Sequence, residues 1–270
     1  MPIEDIQVRK LAVRPDSSTP KYWFAEDIFL THFFNAISST FPEGERFFIR
    51  SVRYYADQIK DPQLICQIAG FIGQEGQHSK EHDSHIQLLL DQGYTVLQSL
   101  NRNQRFISDT FNRYMPKFAL ALTTAVEHVT AIFAHQILAH PDHWIEPMHP
   151  SMRPLWRWHA IEEAEHKAVA FDVYQLAVGS NPLRRLAMMQ VTCGFLVEVF
   201  IRHCLLLGKD RALRPKVLWH GCKALFGRNG YLRVLAPKLG VYYRSDFHPW
   251  QQDNTQTLTQ RRQQWGFQTD

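Results

Sequence analysis

The sequence lacks the features that would direct it out of the cell or to nucleic acid. Its four cysteines form no Cys-x-x-Cys pair, so neither a disulfide framework nor a thiolate metal site is indicated. Thirty basic residues face 26 acidic ones without a run of five or six like charges, so we expect no nucleic-acid partner. The first 30 residues mix charged with apolar positions and lack the apolar core of a signal peptide. We therefore expect a cytoplasmic protein.

The alternation of apolar and polar residues that marks a half-buried strand is also missing. Helical spacing dominates, and an apolar content of 45% is enough for one large core. We predict an all-α fold with an interruption or kink near Pro42 in its first helix. Asp61 and Pro62 are typical of a helix start, and Gly93 is typical of a helix end. The predicted helices cover residues 24–60, 62–93, 116–139, 155–178, 183–207 and 210–226.

One apolar run, residues 186–207, has about the length of a membrane span, roughly 20 residues. It contains Glu198, Arg202 and His203, and a charge near the bilayer centre costs roughly 2.5–3.5 kcal/mol on insertion scales. We therefore expect a helix that is buried in the core or in a dimer interface. Peripheral contact with a membrane is the alternative.

Two of the predicted helices carry the same pair of side chains, Glu-x-x-His. The pairs are Glu75 with His78 and Glu163 with His166. Residues three apart lie on one helix face, so each pair can bind one metal ion. The other two long helices each offer a glutamate, Glu45 and Glu127. Residues 118–126, just before Glu127, carry no charge, and an unpaired carboxylate in such a setting is costly.

These residues together predict a dinuclear metal site. His159 precedes Glu163 by four positions and lies on the same helix face, which makes it a further candidate ligand. A carboxylate-rich site with imidazoles and no thiolate favours two iron ions, with manganese or a mixed pair as alternatives. The helix pattern and this site are typical of a ferritin-like four-helix bundle, here with additional C-terminal helices. The predicted ligands are Glu45, Glu75, His78, Glu127, His159, Glu163 and His166.

Other polar residues on the same helices have possible supporting roles. Glu162 and His82 are the candidates for a general base. Glu162 and Asp172 are the candidates for orienting His78 or His166.

Longer motifs within residues 20–250 carry a family resemblance. They are residues 41–48 (FPEGERFF), Gln74-Glu75 with His78 and His82, Glu127-His128, residues 158–160 (WHA), residues 162–167 (EEAEHK) and residues 246–250 (DFHPW). With these motifs the sequence resembles the bacterial family of predicted metal-dependent hydrolases. The ligand set is also similar to that of the di-iron arylamine N-oxygenases, whose last helix carries His-x-x-x-Glu-x-x-His. His159, Glu163 and His166 match that motif, and the similarity implies that His159 is a ligand.

Three functions follow from this site. In the first, two irons activate O2 with an electron donor and oxidise an apolar or aromatic small molecule. In the second, the same two metals activate a water molecule for hydrolysis. The third is a non-enzymatic iron-binding or redox-sensing role. We expect a homodimer, because the helices after residue 182 suggest a lid or a dimer surface. Residues 1–20 are expected to form an N-terminal extension, 21–250 the metal-binding domain, and 251–270 a polar, loosely held tail.

Overall fold

The computed structural model describes residues 6–267, which form helices and loops without a β-strand. The predicted all-α fold is therefore confirmed. The helices are α1 (Ile28–Ser38), α2 (Phe41–Ala56), α3 (Pro62–Asp91), α4 (Val96–Tyr114), α5 (Pro116–Ala139), α6 (Pro141–Trp144), α7 (Arg153–His166), α8 (Val169–Ala177), α9 (Asn181–Lys209), α10 (Pro215–Phe226), α11 (Ala236–Leu239) and α12 (Thr255–Trp265).

Four helices, α2, α3, α5 and α7, pack against one another at the centre of the bundle. Two apolar clusters fill the core, and a polar layer separates them along the helices. On α3, residues 64–71 belong to one cluster and Leu89 to the other, with buried glutamates and histidines between them. On α5, residues 119–125 and 132–138 are divided in the same way around Glu127. The polar layer is thus enclosed by apolar packing on both sides.

Local sequence signals set several helix ends as predicted. The Asp61 carboxylate accepts a hydrogen bond from the Gln63 amide, and Pro62 occupies the first turn of α3. Gly93 follows α3 with φ +95°, a conformation that favours glycine. α5 has the predicted bounds, residues 116–139.

One helix prediction is confirmed and two need correction. The interruption predicted near Pro42 lies at Ser39–Thr40, where it separates α1 from α2. The predicted helix 155–178 is interrupted after His166, where the Lys167 ammonium donates to the Gln252 carbonyl and Asn254 Oδ1, both at 2.7 Å. α4 was not predicted at all, because it is a mostly polar helix that buries few of its side chains.

Both ends of the described range, residues 6–267, pack against the bundle. The prediction of a loosely held tail is wrong, since residues 255–265 form α12, which contacts α5 and α7 and buries Leu258. At the other end Ile6 and Leu11 are buried. A Cβ atom on Gly70 of α3 would lie 2.6 Å from Ile6 Cβ, so the close approach of this segment requires glycine. Residues 1–5 and 268–270, which belong to the predicted extension and tail, lie outside the described residues.

Two helices, α5 and α9, are long and apolar enough to cross a membrane by length and composition alone. In the most apolar stretch of α5, 61% is buried within the protein, whereas in α9 the buried share is 33%. The prediction that residues 186–207 are buried in the core therefore holds for one face of α9 and is wrong for the other. A dimer interface on the exposed face stays a prediction.

Candidate metal centre

All seven side chains predicted as ligands come together in the polar layer, in two buried groups. In each group one potential ligand atom per residue lies within 4.8 Å of the others. The first ligand group is Glu45 of α2, His78 of α3 and His159 of α7; the second is Glu75 of α3, Glu127 of α5, and Glu163 and His166 of α7. The Glu-x-x-His spacing on α3 and α7 therefore brings both pairs to one place, as the helix geometry requires.

Glu163 and Glu75 lie between the two groups. One carboxylate oxygen of Glu163 is 2.9 Å from His159 Nε2, and the other is 3.6 Å from His166 Nε2. Glu75 Oε1 is 3.1 Å from His166 Nε2, and Glu75 Oε2 is 3.9 Å from His78 Nδ1. Glu45 and Glu127 each belong to one group only. Metal ions at the two groups would be held by Glu45, Glu75, Glu127 and Glu163 together with the histidines.

Three of the four carboxylates are buried without hydrogen bonds. Both oxygens of Glu45, Glu75 and Glu127 have no hydrogen-bond partner in the described part of the chain, although each side chain is at most 2% exposed. His78 Nδ1 and His166 Nε2 are likewise unpaired within residues 6–267. The 3.1 Å approach of His166 Nε2 to Glu75 does not have hydrogen-bond geometry. Buried polar atoms are normally satisfied, so this concentration of unpaired atoms points to a missing partner.

Burial and mutual repulsion set the protonation of the cluster. Burial raises the pKa values of Glu45 and Glu127 well above the ordinary range, and the neighbouring charges of Glu75 and Glu163 raise them further. Burial also acts to raise the pKa of Glu163, but the imidazoles of His166 and His159 outweigh it and hold that pKa well below the ordinary range. The pKa of His166 is raised well above its usual value, against the effect of burial, by Glu163, Glu75 and Glu127. Protons thus provide part of the positive charge that four carboxylates need.

Hydrogen bonds behind His166 determine which of its nitrogens faces the cluster. Gln74 Nε2 donates to Glu165 Oε2 at 2.8 Å and to the Gln7 carbonyl at 2.9 Å. Because those two partners are acceptors only, Gln74 Oε1 must face His166 Nδ1, which lies 2.8 Å away. Nδ1 therefore carries the proton that it donates to Gln74, and Nε2 points towards the carboxylates. Glu165 also accepts hydrogen bonds from Arg9 Nη1 at 2.8 Å and from Arg262 Nε at 2.8 Å.

His78 is oriented in a similar way by Glu162. His78 Nε2 lies 3.1 Å from Glu162 Oε2, and the other carboxylate oxygen of Glu162 accepts hydrogen bonds from the Arg9 amide and guanidinium. Burial raises the pKa of Glu162 to about 8. When Glu162 is ionised, His78 donates through Nε2 and leaves Nδ1 for the cluster. A carboxylate or amide behind each histidine is the usual second layer of a metal site.

The donor set fits a pair of divalent or trivalent metal ions such as iron or manganese. Four carboxylates and three imidazoles converge without a thiolate, and two of the imidazoles present an unpaired nitrogen. Two such ions would supply the positive charge and the partners that the unpaired oxygens need.

An apolar pocket of about 450 Å³ leads from the surface to this cluster. Glu45, His159 and Glu163 line its inner end, and the walls come from α2, α4, α5 and α9. The walls are mostly apolar, with Phe41, Phe47, Phe48, Phe111, Leu122, Val126, Val191 and Phe195 among them. A depression of about 570 Å³ between α2 and α3 touches none of the seven candidate ligands, whereas the apolar pocket reaches three of them.

A family model described as predicted metal-dependent hydrolase matches residues 7–253, most of the chain. The chain belongs to this family. No curated protein and no solved structure matches it, so the ferritin-like relationship and the identity of the metal stay predictions.

In this predicted metal-dependent hydrolase, the two general-base candidates lie behind the candidate ligands and do not line the apolar pocket. Both oxygens of Glu162 are engaged by His78 and Arg9. His82 Nε2 is 2.6 Å from His159 Nδ1, and His82 Nδ1 is 2.8 Å from Ser38 Oγ. This geometry favours a positioning role for both residues.

Some polar residues that support the candidate ligands are not predicted from the sequence. Gln74 belongs to a sequence motif that indicates no role for it. Ser38, Arg9 and Arg262 come from distant segments that no local spacing connects to the site. Asp172, predicted to orient a ligand histidine, instead lies 2.9 Å from His248 Nε2, so that prediction is wrong.

Proposed function

We propose that this family member is an enzyme that binds two metal ions and hydrolyses an apolar small molecule, such as an ester with a hydrocarbon group. The observation that supports it is the combination of unpaired buried carboxylates with an apolar pocket that ends on them. The seven ligands proposed are those of the two ligand groups, and the metal proposed is iron, with manganese or a mixed pair as alternatives. A pair of bound metal ions would activate water and polarise the bond to be cleaved.

The protein's own residues have three tasks in this proposal. The pocket walls exclude bulk water and hold the apolar part of the substrate, which directs its reactive group to the inner end. Glu162 and Gln74 keep His78 and His166 in the orientation and protonation state that ligation requires. Glu45, which lines the inner end of the pocket, is the carboxylate proposed to take up the proton that the attacking water loses.

A second candidate function is oxidation of an apolar substrate with O2 and electrons from a donor. One observation favours it: apart from Glu45, Glu163 and His159, the titratable residues along the described pocket lining are Glu198 and Arg202, which pair with each other. A hydrolase needs a general base near the substrate, and here it must be one of the proposed ligands. A Glu-x-x-His pair on two helices plus a glutamate on two others is also the arrangement of di-iron carboxylate proteins.

The first measurement is the metal content. We expect two metal ions per chain when the protein is purified and counted by mass spectrometry. Glu163→Gln should lose most of this metal, whereas the matched surface variant Glu146→Gln, which changes an exposed carboxylate, should retain it. A wild-type chain without stoichiometric metal after reconstitution would contradict the site itself.

The second measurement separates the two reactions. Nitrophenyl esters of increasing acyl length are offered with O2 strictly excluded, and the same protein in reduced form is then mixed with O2 while O2 consumption is followed. Metal-dependent ester cleavage without O2 supports hydrolysis. Rapid O2 consumption with no anaerobic cleavage contradicts it and supports oxidation. Bound metal that is inactive in both assays would favour the non-enzymatic iron-binding alternative.

A further inference from the structure

α9 presents an apolar stripe to solvent. Its exposed positions from Leu186 to Leu205 recur every three or four residues, as one helix face requires, and none of them is charged. They are Leu186, Met189, Gln190, Cys193, Leu196, Val197, Phe200, Ile201 and Leu205. Of the two charged residues in this stretch, Arg202 is buried, and Glu198, whose side chain is 36% exposed, pairs with it. A continuous exposed apolar surface of this kind marks an interaction site.

The stripe borders the mouth of the apolar pocket. Val197 and Ile201 of α9 and Ile107 of α4 line the pocket and are 56%, 46% and 54% exposed. Phe200 and Phe106, their neighbours in sequence, are 65% and 75% exposed and do not line the pocket. We call these five side chains the apolar rim. Whatever covers the apolar rim also faces the entrance to the metal centre.

The same part of the chain holds most of the excess positive charge. Residues 181–238 contain 11 of the 30 lysines and arginines but two of the 26 aspartates and glutamates. This region therefore carries a formal charge of +9, and the rest of the chain carries −5. Exposed residues contribute much of that charge; they include Lys209, Arg211, Arg214, Lys216, Lys223, Arg228 and Arg233. The small net charge of the whole chain hides this asymmetry.

α10 carries exposed aromatic and exposed basic side chains on one face. Lys216, Trp219, Lys223 and Phe226 are spaced by three, four and three residues, and all four are exposed. Trp219 is 77% exposed and Phe226 is 58% exposed. Aromatic side chains flanked by lysines are typical of helices that lie in the interface of a membrane. α10 and the C-terminal half of α9 both contact Phe29 of α1, so the two helices lie close together there.

We propose that the apolar rim and the basic α9–α10 region dock on an anionic lipid bilayer. The rim inserts among the acyl chains, the lysines and arginines contact the lipid headgroups, and the pocket draws its apolar substrate from the membrane. Docking is argued from the exposed residues and their charge alone, whereas the route of the substrate from the membrane rests on the proposed function.

The positive charge of residues 181–238 favours an anionic bilayer over a second copy of the chain as the partner of this surface. In a two-fold symmetric dimer the same surface lies on both subunits, so two regions of charge +9 would meet. An anionic bilayer is complementary to that charge, and each lysine or arginine near its surface contributes about 1 kcal/mol. Nucleic acid would also attract the charge, but the uncharged stripe offers nothing to phosphates. Packing of α9 along α1 and α5 fits a helix that lies on the membrane surface.

The test is co-sedimentation of the full-length, metal-loaded protein with lipid vesicles. We expect binding to vesicles of phosphatidylcholine mixed with phosphatidylglycerol, increasing with the phosphatidylglycerol fraction, and little binding to phosphatidylcholine alone. Phe106→Glu with Phe200→Glu should reduce binding at least about tenfold, since charged groups replace the inserting rings. Lys216→Glu with Lys223→Glu should reduce binding at least about 30-fold, because the contributions of two lysines are lost. Leu176→Glu, an equally exposed apolar position on α8, should leave it unchanged.

Each other outcome overturns the docking. These outcomes are equal binding to neutral vesicles, no binding to either, and binding that the rim variant leaves intact. A dimer in sedimentation analysis that Phe106→Glu with Phe200→Glu converts to monomer would assign the face to a second copy, and preference for an RNA oligonucleotide over vesicles would assign it to nucleic acid. The Glu163→Gln variant is measured in parallel and should still bind vesicles, which separates failure of the docking from failure of the proposed catalysis.

Discussion

The two sides of the candidate metal centre differ in chemistry. On one side, Arg9, Glu162, Glu165, Gln74 and Arg262 form a closed hydrogen-bonded layer from both ends of the chain. On the other side, the candidate ligands face an apolar pocket that opens at the surface. The polar side holds the histidines in one orientation, and the apolar side leaves room for a substrate. The difference predicts that changes on the polar side alter metal binding, whereas changes on the apolar side alter substrate use.

The largest effect should come from removal of the metal, which the carboxylates between the two sides are proposed to bind. Removal of the metal with a chelator should destabilise the wild-type protein by about 3–4 kcal/mol if the metal is at 100 to 1,000 times its dissociation constant. For a chain of this size that corresponds to a decrease in melting temperature of roughly 5–15 °C. Calorimetry with and without chelator measures it.

The Glu127→Gln variant should separate metal binding from the stability of the metal-free protein, because burial disfavours the charge of Glu127. The variant should bind less metal, yet its metal-free form should be more stable than the metal-free wild type by about 1–3 kcal/mol. Glu146→Gln, at an exposed carboxylate, should change neither quantity. A metal-free Glu127→Gln protein that is less stable than the wild type would mean that Glu127 is satisfied by the protein itself.

An intermediate effect is expected on the polar side. Gln74→Leu removes the partner of His166 Nδ1, so the imidazole loses its fixed orientation and its preferred protonation state. The metal dissociation constant should increase by about 10- to 100-fold, as it does when second-layer partners are removed. Competition with a chromophoric chelator measures it, and the exposed Gln87→Leu on the same helix is the control. Unchanged affinity would show that the layer is structural only.

The candidate ligands could be predicted from the sequence because their signal is local. Three- and four-residue spacings on α3 and α7 determine which side chains share a face, whatever the rest of the fold does. The uncharged run before Glu127 similarly indicates burial at one position. The all-α class follows from the same periodicity.

What the sequence did not reveal depends on contacts between distant segments. The interruption after His166 has no proline or glycine and coincides with the contact of Lys167 with the 252–254 segment. α12 has a polar sequence and is ordered by packing and by the Arg262–Glu165 ion pair. The polar layer behind His166 joins positions 9, 74, 165 and 262, a long-range arrangement that spacing cannot encode.

The smallest effect is expected on the apolar side, at Gly44 of α2, which lines the pocket beside Glu45. A Cβ there would lie 3.7 Å from Phe48 Cζ, an ordinary contact, so Gly44→Ala should fold normally. It should stabilise the helix by about 0.5–1 kcal/mol. It should also narrow the pocket, so that kcat/KM for the bulkiest substrates falls a few-fold while metal content is unchanged.

Gly76→Ala on α3 is the matched control for Gly44→Ala. A Cβ at Gly76 has no heavy atom within 4 Å, and Gly76 does not line the apolar pocket. It should therefore give a similar gain in helix stability, measured by thermal melting, without a change in substrate preference. If Gly44→Ala and Gly76→Ala behaved alike towards substrates of every size, the pocket would not be the substrate route. If Gly44→Ala reduced metal content, a change on the apolar side would alter metal binding, which would contradict the proposed difference between the two sides.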